Sequence, residues 1–207
     1  SANALRDMWT NDQGSEFIYV PAGTPDERFE YGSSVNDNNF RSYSQAAGAY
    51  SPDWIPSKST VDMYSATDWR TDIFLDKQNV KCQDQKASNI ALFNKFLGNP
   101  SLSKKGDSKF ARYNLPKLFR IAETYLIAAE AAYRLNDVAK AQQYLNALRT
   151  KRGLLATVET GESLAKEIRL EWKREFMGEG MYFRVLKRWG VGFQRDAATQ
   201  TGAANVV

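Results

Sequence analysis

The chain has 207 residues, 43% of them hydrophobic and 13% aromatic, with 28 basic and 24 acidic side chains for a net charge of +4. That much apolar material excludes a disordered segment and builds a sizeable core. The small basic excess behind a pI near 9.1 is no nucleic-acid footprint, and the absence of histidine removes the commonest metal ligand and neutral-pH general base.

The first twenty residues begin helically around Leu5, Met8 and Trp9 and break at Asn11–Gly14, and Ser15–Val20 reads as a short strand ended by Pro21. Ser1 in place of Met predicts a processed start or a fragment, and the polar opening SANALRDMW is unlike a signal peptide. Residues 21–54 are rich in Gly, Ser, Asn, Asp and Tyr with little periodicity, and read as a long ordered loop. A helix is expected from Lys58, capped by Ser57 or Ser59. Asp68-Trp69-Arg70 follows. A short strand is expected within residues 90–99, and the stretch from Pro100 to Lys109 is a polar loop. The lone Cys82 has no histidine to activate it and reads as a structural or incidental thiol.

The clearest helix is Lys117–Leu135, with Pro116 at its start. Leu118, Ile121, Ala122, Tyr125, Ala129, Ala132 and Tyr133 recur at helical spacing and predict its apolar face. Its small residues let a second helix approach, and Asp137–Lys151 supplies one. Asp137 caps that helix, Val138, Ala141, Tyr144, Leu145 and Leu148 form its stripe, and Gly153 ends it. Together residues 116–153 have the length and the small–large alternation of one tetratricopeptide-like helix pair. A single such unit cannot bury both faces and needs neighbours. A third helix runs from Ser163 to about Met177, carrying Leu164, Ile168, Trp172 and Phe176, and Gly178 and Gly180 break it. A further amphipathic helix spans 181–189, and the small, polar tail from Arg195 is expected to fray. No apolar run is long enough to cross a bilayer.

Two dense motifs carry a family signal. Arg120–Ala131, RIAETYLIAAEA, is followed by Asn146, Arg149, Arg152 and Gly153 at the end of the next helix. The second block contains Ile168, Glu171, Glu175, Phe176, Glu179, Gly180, Phe183, Leu186, Lys187 and Arg188. In this order they resemble the C-terminal part of SusD/RagB nutrient-binding outer-membrane lipoproteins. Trp172 and Tyr182 stand where arginine is common, and Val185 where many members have Asp. The resemblance implies a mainly α-helical, helical-repeat fold with long ordered loops and few short strands, residues 1–207 being the C-terminal part of one domain. Within it the landmarks are the 21–54 loop, the 116–153 helix pair and the 163–190 C-terminal helices. It further implies a non-catalytic, cell-surface binding subunit. Such a subunit captures oligosaccharide or peptide and hands it to a SusC-like, TonB-dependent transporter. A lipid anchor outside this chain would hold it on the outer membrane, and neither a cofactor nor a metal is implied.

The motif glutamates read best as structural ion pairs. Glu123 and Glu130 are expected to meet Arg120, Arg149 or Arg152, and Glu171, Glu175 and Glu179 to meet Arg174, Arg184 and Arg188. The Lys187–Arg188 pair reads as a solvated face. Sugar recognition needs flat aromatic rings for C–H faces and planar polar groups for hydroxyls. The 21–54 loop has that chemistry. Its candidate ligand-binding residues are Tyr31, Asn36, Asp37, Asn38, Asn39, Phe40, Arg41, Tyr43, Tyr50 and Trp54. Trp54 and Trp69 are also candidates for the core. The Asn36–Asn39 run lacks the spacing and distal Glu of a calcium loop. Two other readings stay open: a helical-repeat scaffold for a protein partner, and a carboxylate-based glycosidase.

Overall fold

The computed structural model describes residues 1–27, 41, 43–44, 46–82, 84–96, 98–107 and 113–193. Tyr31, Asn36, Asp37, Asn38, Asn39 and Phe40 lie outside the described residues, as does the tail from Arg195. Along the chain come α1 (Ala2–Thr10), β1 (Phe17–Tyr19), β2 (Tyr43–Ser44), β3 (Ala49–Tyr50), α2 (Lys58–Asp62) and α3 (Thr71–Phe74). They are followed by β4 (Leu75–Cys82), β5 (Gln85–Phe93), β6 (Phe119–Arg120), α4 (Ile121–Arg134), α5 (Val138–Thr150), α6 (Gly161–Glu175) and α7 (Tyr182–Trp189).

Helices α4 to α7 pack as the expected helical body. Ala122, Leu126, Ala129, Ala141, Leu145, Leu164 and Ile168 are completely buried there, beside Trp172 and Val185. The alanines at the α4–α5 contact bring the two backbones close, and each buried Leu or Ile adds about 1.5–3 kcal/mol. Local chemistry sets the ends. The Asp137 carboxylate accepts from the Lys140 amide at 3.1 Å, capping α5. The Ser57 hydroxyl caps α2 by accepting from the Thr60 amide.

Helix α4 starts four residues later than the spacing predicts. Pro116 and Lys117 precede it without regular secondary structure, and Phe119–Arg120 instead form β6, antiparallel to β1 with Phe17 opposite Arg120. The buried face is also rotated from the expected one. It carries Ala122, Leu126, Ala129 and Ala132, while Leu118, Ile121 and Tyr125 are exposed. A stripe of apolar residues wider than one helix face leaves the choice of face to the neighbours, which spacing alone does not name.

A second core gathers on Trp9 from α1, with Leu5, Met8, Met63, Tyr64, Ile73, Phe74 and Met177. Phe74 and Phe96 meet the Trp9 ring edge-on, at centroid distances of 5.8 and 5.4 Å. The remaining element is a sheet of order β2-β3-β4-β5. Its largest part is a hairpin, β4–β5, where a single short strand inside 90–99 is expected; the strand ends at Phe93. Its buried face holds Val80, Ile90 and Leu92, against which Tyr50 and Ile55 pack. Strands β2 and β3 fall inside the segment that reads as loop. Tyr43 pairs with Tyr50 across them, and Tyr50 with Val80 of β4. Among the described residues no helix is long and apolar enough to cross a membrane.

Candidate functional site

Two charged centres lie at opposite ends of the chemistry. The first is buried in the helical body and organised by Glu175 near the end of α6. Its carboxylate accepts from Arg120 at 2.7 Å, from Arg152 at 2.9 and 3.0 Å, and from Arg70 at 3.1 Å. Arg70 is clamped further by Asp68, at 2.9 and 2.8 Å, and by Glu171 at 2.7 Å. Arg152 reaches Glu16, and Arg120 reaches Glu179. Burial alone would raise the Glu175 pKa; Arg152, Arg120 and Arg70 outweigh it and hold the carboxyl well below the usual range.

Lys95 completes this centre. Its ammonium donates to the Glu175 and Met177 carbonyls at 2.8 and 3.0 Å and to Glu179 at 2.5 Å. Burial is the main reason its pKa falls to about 8, with Glu179 opposing and Arg120 reinforcing the fall. The centre ties α3, β6, α5 and α6 together. At its edge Gly153 has φ +81°, and a Cβ there would sit 2.4 Å from the Thr67 carbonyl oxygen and 2.5 Å from Trp69 Nε1.

Four of the five motif glutamates, Glu130, Glu171, Glu175 and Glu179, are ion-paired as expected, but several partners differ. Glu171 does meet Arg174. Glu175 and Glu179 meet Arg70, Arg120, Arg152 and Lys95 instead of Arg184 and Arg188. Arg188 is exposed, as expected of a solvated face, and also holds Glu130 through two contacts of 2.8 Å. Those contacts, with Arg134, overcome burial and lower the Glu130 pKa. Glu123 has no ion pair among the described residues. It lines a chamber of about 460 Å³ with Trp9, Lys117, Arg120, Glu179 and Arg184, and burial raises its pKa.

The second centre lies on the small sheet and contains Arg41, Tyr43 and Tyr50, three of the four described members of the predicted ligand set. The Arg41 guanidinium lies 4.8 Å from the centroid of the Tyr50 ring, and its Nη2 donates to the Tyr50 hydroxyl at 3.3 Å and to Asp76 at 2.9 Å. Tyr43 meets Tyr50 edge-on with ring centroids 5.0 Å apart. Gln78 also donates to Asp76, at 2.6 Å. The structure thus joins Arg41, Tyr43 and Tyr50. Trp54 stands apart in the chain that follows β3 and is 62% exposed, so it is not a core residue; a single apolar ring after Pro52 has no element to pack under. Trp69 is half-buried against the Trp9 core. Asp76 and Gln78 escaped the sequence reading. Both sit on β4, on the same side as Val80, and alternation places them there only once that strand is known. No group of three or more His, Cys, Asp or Glu among the described residues could hold a metal ion.

The elements make a recognisable architecture: a helical-repeat body together with a small sheet and loops. The model of the SusD family matches residues 9–206, and the chain belongs to that family. Solved structures agree on the fold. A SusD-like carbohydrate binding protein from Bacteroides vulgatus superposes with a TM-score of 0.64 at 21% identity, over 94% of this chain and 39% of its own. Surface glycan-binding protein A from Bacteroides fluxus gives 0.60 at 22% identity, over 99% and 45%. A SusD superfamily protein from Bacteroides thetaiotaomicron gives 0.65 at 20% identity, over 99% and 44%. The chain therefore spans less than half the length of each of these structures. Comparison with curated protein sequences gives no match.

Proposed function

We propose that this protein is the C-terminal part of a SusD-like surface subunit that binds an oligosaccharide without chemical conversion and passes it to a SusC-like, TonB-dependent transporter. A lipid anchor outside this chain would place it on the outer membrane at the cell surface. The observation that carries the reading is the second centre: the Arg41 guanidinium 4.8 Å from the Tyr50 ring centroid and bonded to Asp76, with Tyr43 edge-on to Tyr50, and the exposed ring of Trp54 further along the chain. Stacking surface next to planar donors is what a pyranose requires. Two of the similar structures are described as binding carbohydrate or glycan, which supports the ligand class. The central carboxylates are saturated by arginines, so they are unsuited to acid–base work, which supports binding without a covalent step.

Titration calorimetry against a panel of oligosaccharides tests the reading. A glycan ligand whose affinity falls on Trp54→Ala or Tyr50→Phe is the expected result; a protein that binds no glycan in the panel would sink it. Co-purification with a barrel transporter tests the hand-over separately.

A further inference from the structure

The ribbon of β1 and β6 is half covered. Phe17, at one end, packs against the Trp9 core. At the other end Tyr19 pairs with Phe119. Successive side chains of a strand point to opposite faces, yet Ile18 and Tyr19 are both exposed, so this end is open on both sides. Leu118 and Phe119 on the second strand are exposed as well. The Ile121 amide donates to the Glu16 carbonyl at 2.8 Å, which joins the ribbon to the start of α4. There Ile121 and Tyr125, one turn apart, extend the surface. The six side chains are 36–58% exposed, and none carries a charge.

A two-stranded ribbon is marginal in water without a cover, and a grouped apolar surface marks an interface. A surface without charge has the composition of a permanent interface. The ribbon also matters to the core. It carries Arg120, which holds Glu175, and Glu16 beside β1 holds Arg152.

Two observations indicate the cover. First, a chamber of about 540 Å³ is lined by Ile121, Tyr125 and Ser1, the N-cap of α1. Chain leading into α1 therefore arrives at this surface. Second, the similar structures match this chain over only 39, 44 and 45% of their own lengths. A segment longer than this chain is available in proteins of this fold.

We propose that Ile18, Tyr19, Leu118, Phe119, Ile121 and Tyr125 form an internal seam, covered in the whole subunit by the segment of the same polypeptide that precedes Ser1. This rests on the reading above that the chain is the C-terminal part of a longer subunit; it does not depend on the ligand. Tethering at Ser1 gives that segment an effective concentration in the millimolar range, above what a second copy reaches in solution. An oligosaccharide is a poor cover here, because the surface offers no convergent polar groups.

Hydroxyl-radical footprinting of the full-length, unmodified subunit, without glycan, tests the seam. Its intact mass is read first. A mass near 23.4 kDa leaves no preceding segment and overturns both the seam and the reading it rests on. With a larger mass, oxidation rates at Tyr19, Phe119 and Tyr125 are compared with those of the denatured subunit. All three should be slowed about tenfold or more, the protection of side chains inside a stable core. A smaller slowing overturns the seam and leaves the C-terminal reading standing. Protection that persists on dilution to the monomer supports it. Protection that disappears on dilution identifies a second copy as the cover and overturns it.

Discussion

The helical centre and the small sheet both bury arginine, but they treat it in opposite ways. In the centre Arg70, Arg120 and Arg152 converge on Glu175, and every nitrogen is bonded to carboxylate or backbone. On the sheet Arg41 is nearly as buried and leaves two nitrogens without acceptors among the described residues. The first arrangement fixes the relative positions of four elements and has no capacity left for a ligand. The second leaves charged donors without acceptors among the described residues, which is where the proposed recognition surface lies. The contrast also separates stability from binding: changes in the centre should be felt in folding, changes on the sheet in affinity.

Glu175→Gln is the strongest way to break that division. The substitution leaves three buried guanidinium groups short of their shared anion. It should cost about 3–5 kcal/mol of stability, the penalty for removing one partner of a buried ionic cluster. Chemical denaturation checks it, and a loss below about 1 kcal/mol, the scale of an exposed pair, would mean the centre is no more than a surface network.

Acid provides the same perturbation reversibly. The Glu175 pKa in the folded protein lies well below its ordinary value, so the unfolded chain takes up this proton first as pH falls. Its contribution is complete above the unfolded pKa of about 4.3 and is lost as pH drops through the folded value. Denaturation midpoints of wild type and Glu175→Gln should therefore converge as pH falls below about 4. A constant gap down to the acid limit would show that Glu175 acts through packing instead of charge.

Gly153→Ala should come next in size. Its φ of +81° disfavours any Cβ, and that Cβ would meet the Thr67 carbonyl at 2.4 Å, a backbone atom that cannot swing away. The backbone conformation alone is worth roughly 1–3 kcal/mol. A melting temperature unchanged from wild type would mean that the α5 end and the Asp68–Arg70 turn are not locked together.

Much of the helical body was legible because its signals are local. Asp137 caps α5 as its residue type and position predict, and the Leu145–Leu148 stripe and the Leu164–Trp172 face follow a 3.6 period and are buried accordingly. What periodicity leaves open is which partner a charged residue finds. Glu175 meets Arg70 across 105 positions, and no pattern within one helix contains that information. Strand β6 was hidden for the same reason. Phe119 and Arg120 continue the helical spacing, and only pairing with Phe17 and Tyr19 makes them extended. The candidate site was half visible. Composition pointed to Arg41, Tyr43 and Tyr50, whereas Asp76 and Gln78 entered through the register of a strand that apolar alternation marks poorly.

Trp54→Ala is the smallest change in stability and the sharpest test of the contrast. The ring is 62% exposed and belongs to none of the three buried clusters. Its removal should alter stability by less than about 0.5 kcal/mol, as for most exposed positions. If the sheet side is the recognition surface, the same change removes a stacking platform worth about 0.5–1.5 kcal/mol. Glycan affinity should then fall roughly two- to twelvefold with the melting curve unmoved. The opposite pattern, a destabilised fold with intact binding, would make Trp54 part of the scaffold and move the recognition surface elsewhere on the sheet.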